Sequence, residues 1–352
     1  MTTEKGRKMK YFLSVITGLS AILLLINPKA VSEAISVSAA SCLEVVIPNL
    51  FAFTVLAIYL QKSGLYRTAL RPLTFPLSKL LRIDEELCAV FILSNIGGYP
   101  VGIKLLSELV EQSRITPRDA ERMLCCCFGS GPGFIIGIVG MRVFGNAKAG
   151  LILFCVCFAS SLLIAAFMRS RGDITLAKAE NSYDLTSDAF ICSVTGAARV
   201  MFTVCAMIVG FSVISTLLRE CRLFSLFEKI FGSDEIFPAL MEVTRIENIT
   251  LTDHTFPVCA ALLSFGGICV IIQIASLSKK IPLKKFLISR LSAAFLSSVI
   301  ALPFSKLFTP ADIQVIAADT EVVPFTKNAA LSFCVLAMCA ILLIDAFRSE
   351  KR

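Results

Sequence analysis

The stretch Ser94-Asn-Ile-Gly-Gly-Tyr-Pro-Val-Gly-Ile-Lys-Leu-Leu-Ser-Glu-Leu109 lies in a run apolar enough to enter a lipid bilayer, yet it holds adjacent glycines, a proline and a lysine. Pro100 has no N–H and disfavours helical geometry at Tyr99, while Gly97 and Gly98 admit backbone angles that other residues avoid. A continuous helix over 87–108 is therefore interrupted near its middle. Each half has about ten residues, roughly 15 Å of helix, against a hydrocarbon layer of about 30 Å. The pattern predicts a helical hairpin that reaches the midplane and turns back. Irregular backbone at such depth is tolerated only where protein or a water-filled cavity covers it. That makes Asn95, Gly98, Tyr99 and Pro100 candidates for contact with a polar ligand. A simpler role for the glycines, the close packing of two helices, stays open at this point.

The rest of the chain supports a bilayer as its solvent. Its 352 residues have a mean hydropathy of +0.80, 56% hydrophobic side chains and 17% charged ones, against about 25% charged in soluble domains. Runs long enough to cross fall near 11–26, 45–61, 121–141, 147–168, 190–218, 256–278, 286–308 and 326–347, and two more, 87–108 and 236–250, are ambiguous. The expected class is an all-α polytopic membrane protein of about eight spans plus two re-entrant hairpins. Lys5, Arg7, Lys8 and Lys10 precede the first run, but no Ala-x-Ala site follows it promptly, so a retained helix is expected rather than a cleaved signal. The net charge of +8 comes from residues scattered over short loops, which argues for membrane orientation rather than nucleic-acid binding. The fourteen cysteines show no paired Cys-x-x-Cys spacing and read as free buried thiols, and a lone histidine, His254, argues against a zinc enzyme. No metal or other cofactor is expected.

Charge also orients the chain. If both ambiguous runs return to the side they entered from, the amino-terminal side holds the basic clusters at 5–10, 62–82, 114–122, 169–178, 279–290 and 348–352. The other side keeps only Lys29, Arg142, Lys148, Arg219, Arg222, Lys229 and Arg245. A single crossing by 87–108 would put the strongly basic loop 279–290 outside, against the positive-inside tendency. Both termini are expected in the cytoplasm.

The chain also resembles itself. Phe128-Gly-Ser-Gly-Pro-Gly-Phe-Ile-Ile136 and Phe265-Gly-Gly-Ile-Cys-Val-Ile-Ile-Gln273 stand at a constant offset. Around each, the same parts recur in order: a span, an amphipathic stretch (65–80 and 222–231), a hairpin or short ambiguous run, the span that carries the Phe-Gly motif, and another span. The expected organisation is a single transmembrane domain over 1–352, with repeats at 45–168 and 190–308 and peripheral spans at 11–26 and 326–347. The loop charges place the second repeat upside down, the plan of many secondary transporters.

Candidate ligand contacts follow from this plan. Lys104, at bilayer depth, costs about 2.5–3.5 kcal/mol unless it faces a cavity or a partner, the alternative being a snorkel back to the surface. Glu242 stands at the equivalent place in the second hairpin with Thr244 beside it, so Lys104 and Glu242 are expected to face one cavity; an ordinary exterior loop is the other reading of Glu242. Ser130, Gly131 and Pro132 interrupt a span where half-helix N–H groups would receive an anionic or hydroxyl-bearing ligand. Gln273 and Ser264 lie at similar depth in the second repeat, where interhelical hydrogen bonding is the simpler role. Asp84-Glu85-Glu86 reads as a helix cap. No His-Glu-x-x-His, Gly-x-Ser-x-Gly or close acidic pair is present, so no enzyme activity is expected.

At Gly98-Tyr-Pro-Val-Gly-Ile-Lys104, Ser130-Gly-Pro-Gly-Phe-Ile-Ile-Gly137, Leu240-Met-Glu-Val-Thr244 and Ser264-Phe-Gly-Gly267 with Gln273, the chain resembles the nucleoside-recognition or Gate-domain membrane proteins, in particular sporulation integral membrane proteins of the YlbJ type. It departs from that pattern at Arg245, Cys269 and Val270. The resemblance implies a cytoplasmic-membrane protein of spore formers, linked to cortex formation. It also implies paired hairpins around a site that includes Gly98, Tyr99, Pro100, Lys104, Glu242 and Thr244. The expected function is transport of a small polar solute, nucleoside-like or a cortex metabolite. The alternative is a non-transporting scaffold of a sporulation complex. Expected partners are the lipid bilayer, the solute, and either a second copy or other sporulation membrane proteins.

Overall fold

The computed structural model describes residues 2–169, 174, 176–177, 187–221, 235–278 and 280–308. Among these the chain is helical, apart from an isolated parallel bridge between Ile83 and Ile174. Five helical stretches are long and apolar enough to cross a membrane: Pro28–Lys62, Ala147–Met168, Asp188–Glu220, Thr255–Leu277 and Lys284–Leu307. Thr17–Ile26, the apolar end of α1 (Thr2–Ile26), and Pro132–Val143 are shorter apolar helices. The expected span 326–347 and the expected amphipathic stretch at 222–231 lie outside the described residues.

Two expected spans take a different form. The run read as 45–61 belongs to a 35-residue helical stretch, in which α2 (Pro28–Ser41) passes through a widened π-type turn at Cys42–Val46 into α3 (Ile47–Lys62). Pro48 cannot donate to the carbonyl one turn back, and a locally widened helix accommodates the missing bond. The run read as 121–141 is two pieces. After α8 (Pro117–Leu124), with Thr116 accepting from the Asp119 amide at 3.1 Å as its cap, the backbone leaves helical geometry until α9 (Pro132–Phe134). The chain then continues in π-type turns to Val143.

The first amphipathic stretch folds as two short helices, α4 (Tyr66–Ala69) and α5 (Arg71–Leu81), and Leu73, Phe75 and Leu80 are exposed. It ends at Arg82 in the left-handed conformation, φ 53°.

The core is built by α10 (Ala147–Arg169), α13 (Thr255–Phe265) and α15 (Lys284–Ala301), which pack on one another. Small hydroxyls tie them: Ser160 donates to the Ala293 carbonyl at 3.3 Å and Ser297 to the Ala260 carbonyl at 3.0 Å. In a bilayer, where lipid tails are as apolar as leucine, such bonds and small-residue packing take over from the hydrophobic effect in holding helices together. The long helix α11 (Ser187–Glu220) lies along α2 and α3.

Candidate functional site

The expected interruption of 87–108 is a helical hairpin. Helix α6 (Glu85–Gly97) and helix α7 (Tyr99–Glu111) have 13 residues each and meet at Gly98. At roughly 20 Å each, the arms are longer than the ten residues expected. Gly98 has φ 93° and ψ 171°, open to glycine alone among ordinary residues, and Pro100 stands in the first turn of α7, where its missing N–H costs nothing. Asp84 caps α6 by accepting from the Glu86 amide at 2.9 Å. The base is closed by Arg114, whose two guanidinium nitrogens donate to the Glu86 carboxylate at 2.6 and 2.7 Å. That bidentate pair fixes the antiparallel register of the arms.

The tip of this hairpin is seated on the break that follows α8. Gly131 has φ 75°, and a Cβ there would stand 3.0 Å from the Ile96 carbonyl oxygen and 3.3 Å from the Gly98 nitrogen. The Tyr99 hydroxyl lies 2.5 Å from the Ser130 hydroxyl and donates to the Leu263 carbonyl at 2.7 Å. Asn95 donates to the carbonyls of Phe91 at 2.8 Å and Cys126 at 3.3 Å, fastening α6 to the end of α8.

The run expected as a second hairpin, 236–250, takes a different form, a short helix and a 3-10 turn on either side of Glu242. Helix α12 (Ile236–Met241) leads to Glu242 in extended backbone, and a 3-10 turn, Val243–Asn248, leads away. Glu235 closes the base by accepting from the Thr250 amide at 2.5 Å. This tip too is seated on a broken helix, at the glycines between α13 and α14 (Gly267–Leu277): a Cβ on Gly267 would stand 3.2 Å from the Val243 nitrogen and 3.4 Å from the Leu240 carbonyl oxygen. The two breaks touch each other, because Gly266 faces the rings of Phe128 and Tyr99.

Between the two turns lies a small, largely apolar pocket lined by Val46, Leu50, Tyr99, Pro100, Ser130, Phe134, Val204, Ile208, Glu242, Val243, Thr244, Cys269, Val270 and Gln273. The buried Glu242 carboxylate accepts from the Thr244 amide at 2.9 Å and the Thr244 hydroxyl at 2.5 Å. Arg245 stands 4.0 Å from it and donates to Ser212 of α11 at 2.7 Å. Gln273 is buried, with its amide 3.3 Å from the Cys269 sulfur. Among the described residues no group of three His, Cys, Asp or Glu side chains is placed to hold a metal ion.

Of the residues singled out from sequence, Tyr99, Pro100, Ser130, Glu242, Thr244 and Gln273 line this cavity. Gly98, Gly131 and Asn95 shape or fasten the tip beside it, and Pro132 opens α9. Lys104 requires a correction: it is not among the residues that line the pocket with Glu242. Its ammonium lies 3.1 Å from Glu108, one turn on, with the side chain 34% exposed. A partner four residues away on the same helix face meets the charge at less cost in chain ordering than one across the molecule. The apolar wall from Val46, Leu50, Val204 and Ile208 went unpredicted, and only the helical i, i+4 spacing within each pair hints that they share a face.

The fold defines an all-helical membrane protein in which, among the described residues, the α6–α7 turn and the turn at Glu242 each lie against a broken helix and border one pocket. The chain is 30% identical over 149 residues to the sporulation integral membrane protein YlbJ of Bacillus subtilis strain 168, a match over 42% of this chain. It spans about a third of that relative, 36% of its length. No protein-family model matches the chain, and no solved structure matches it.

Proposed function

We propose that the chain is a multi-pass protein of the bacterial cytoplasmic membrane, with eight spans, both termini cytoplasmic and two re-entrant hairpins in an inverted repeat. It passes a small polar solute through the cavity between the hairpin tips, as a Gate-type permease would. One observation supports this reading: the turn at Gly98 and the turn at Glu242 each lie against the glycine break of the helix that follows, and residues of both line one pocket. Such breaks place polar backbone at depth, and repeat transporters bind their cargo there. A carboxylate, an amide and a phenol set in an apolar wall suit a solute with one apolar face and a few hydrogen-bond donors, nucleoside-like or a cell-wall metabolite. The chain performs no catalytic step in this scheme. Its likeness to a protein named for sporulation supports a role in that process; the stage we propose is cortex formation.

A second reading is favoured by a separate observation. The cavity's polar groups already bond one another, Tyr99 with Ser130 and Glu242 with Thr244, as they would in a scaffold that takes no solute. Uptake into vesicles reconstituted with the purified chain separates the two. Transport predicts flux of a nucleoside or cell-wall precursor that Glu242→Gln lowers at least tenfold and Lys104→Ala leaves unchanged. A chain that moves no member of such a panel, yet still supports sporulation when Glu242 is Gln, is a scaffold.

A further inference from the structure

Arg290 sits on α15 with its side chain fully buried, and among the described residues no carboxylate lies within 4.0 Å of it. Its charge is met instead by two carbonyls, the neighbouring Ser289 hydroxyl at 3.2 Å, and two rings. One terminal nitrogen donates to the Cys125 carbonyl, where α8 ends, and the other to the Ser264 carbonyl at 3.4 Å, in the last turn of α13. The guanidinium carbon stands 4.5 Å from the centre of the Phe128 ring and 5.1 Å from that of Phe286. Its Nε is buried without a hydrogen-bond partner.

The two carbonyls belong to the same structural feature in the two halves of the chain. Helices α8 and α13 are the segments that stop at the breaks, and a helix that stops leaves its last carbonyls unpaired and its end partly negative. The neighbouring carbonyls are taken by other groups: Cys126 accepts from Asn95, Leu263 from Tyr99, and Leu262 from the Gly266 amide. The carbonyls of Cys125 and Ser264 converge from the two half-helices on the Arg290 guanidinium. Unwound carbonyls and half-helix carboxyl ends are what coordinate sodium or another cation in transporters of broken-helix design.

We infer that Arg290 is a tethered cation filling a site made by the carbonyl ends of α8 and α13, so that the position takes no exchangeable inorganic cation and the two breaks are held together by charge from within the chain. Its planar fork reaches both carbonyls at once, which a lysine's point charge does not. The residue holds the breaks in place and makes no contact with solute.

The test reads stability of the purified chain in detergent, so its failure leaves the transport proposal standing. The unmodified chain is expected to show the same Tm in sodium chloride and in N-methylglucamine chloride. Arg290→Ala is expected to lower Tm by several degrees and to regain at least half of that loss with millimolar ethylguanidinium, but not with the neutral ethylurea, as a bound ligand stabilises the state that binds it. Equal responses to the two additives would overturn the inference, as would a sodium-dependent Tm in the unmodified chain. Should the alanine variant not fold, Arg290→Lys and Arg290→Met decide: the account expects the charged variant to melt higher than the apolar one, and a methionine variant that equals or exceeds it refutes the account.

Discussion

Replacing Gly131 by alanine probes the seating of the first hairpin tip on its broken helix. Gly131 holds φ 75° and ψ 147°, a region L-residues enter at a cost of about 1–3 kcal/mol. The added methyl would stand 3.0 Å from the Ile96 carbonyl and 3.3 Å from the Gly98 amide. Both are backbone atoms in the hairpin turn that cannot rotate away, and overpacking of this kind costs a further ~1–3 kcal/mol. The two effects add, because one acts on the torsion and the other on the neighbour, giving a loss of about 2–6 kcal/mol. Gly210, in the middle of α11 with nothing within 4 Å of where a methyl would stand, is the matched control: alanine there should gain up to about 1 kcal/mol. Reversible denaturant unfolding of both variants in one detergent, followed by helical circular dichroism, compares them. A Gly131→Ala variant within about 1 kcal/mol of the unmodified chain on this scale would refute the seating of the tip.

Other changes separate the roles of single contacts. Tyr99→Phe removes the hydroxyl that reaches both Ser130 and the buried Leu263 carbonyl, and unfolding should register about 1–3 kcal/mol of lost stability; a loss below the error of the measurement would show the bridge to be idle. Glu86→Ala opens the base of the first hairpin by removing the acceptor of the bidentate Arg114 pair. About 1.5–3 kcal/mol is expected there, with faster hydrogen exchange confined to α6 and α7. Glu247→Ala, which breaks the more exposed pair with Arg142, should cost under about 1 kcal/mol, and a ranking in the reverse order would contradict the burial argument.

What could be read from sequence here was mostly what glycine and proline dictate locally. The turn at Gly98 and the interruption around Gly131 lie where glycine and proline place them, whereas 256–278 reads as one span and the structure breaks it at Gly266 and Gly267, at φ 87° and 80°. The Asp84 cap was equally legible. Long-range partners were not. Lys104 was matched to Glu242 because both stand in hairpins, although Glu108 lies one turn away on the same face. Arg290 follows the basic run Lys279, Lys280, Lys284 and Lys285 and reads as a loop charge; its burial depends on Phe128 and Cys125, more than 160 residues earlier in the chain. The joining of 28–41 to the span at 45–61 was hidden by the serine- and alanine-rich composition of α2, whose mean apolarity is too low to mark a span by itself.

The account rests most heavily on two hairpins that enter from opposite faces of the membrane and turn back. Single cysteines introduced as Glu85→Cys, Gln112→Cys and Asp253→Cys, at exposed positions beside the two hairpin bases, can be labelled in sealed vesicles with a membrane-impermeant maleimide, the unmodified chain serving as background. The account predicts that 85 and 112 react from one side and 253 from the other. Labelling of 85 and 112 from different sides, or of all three from the same side, would contradict it.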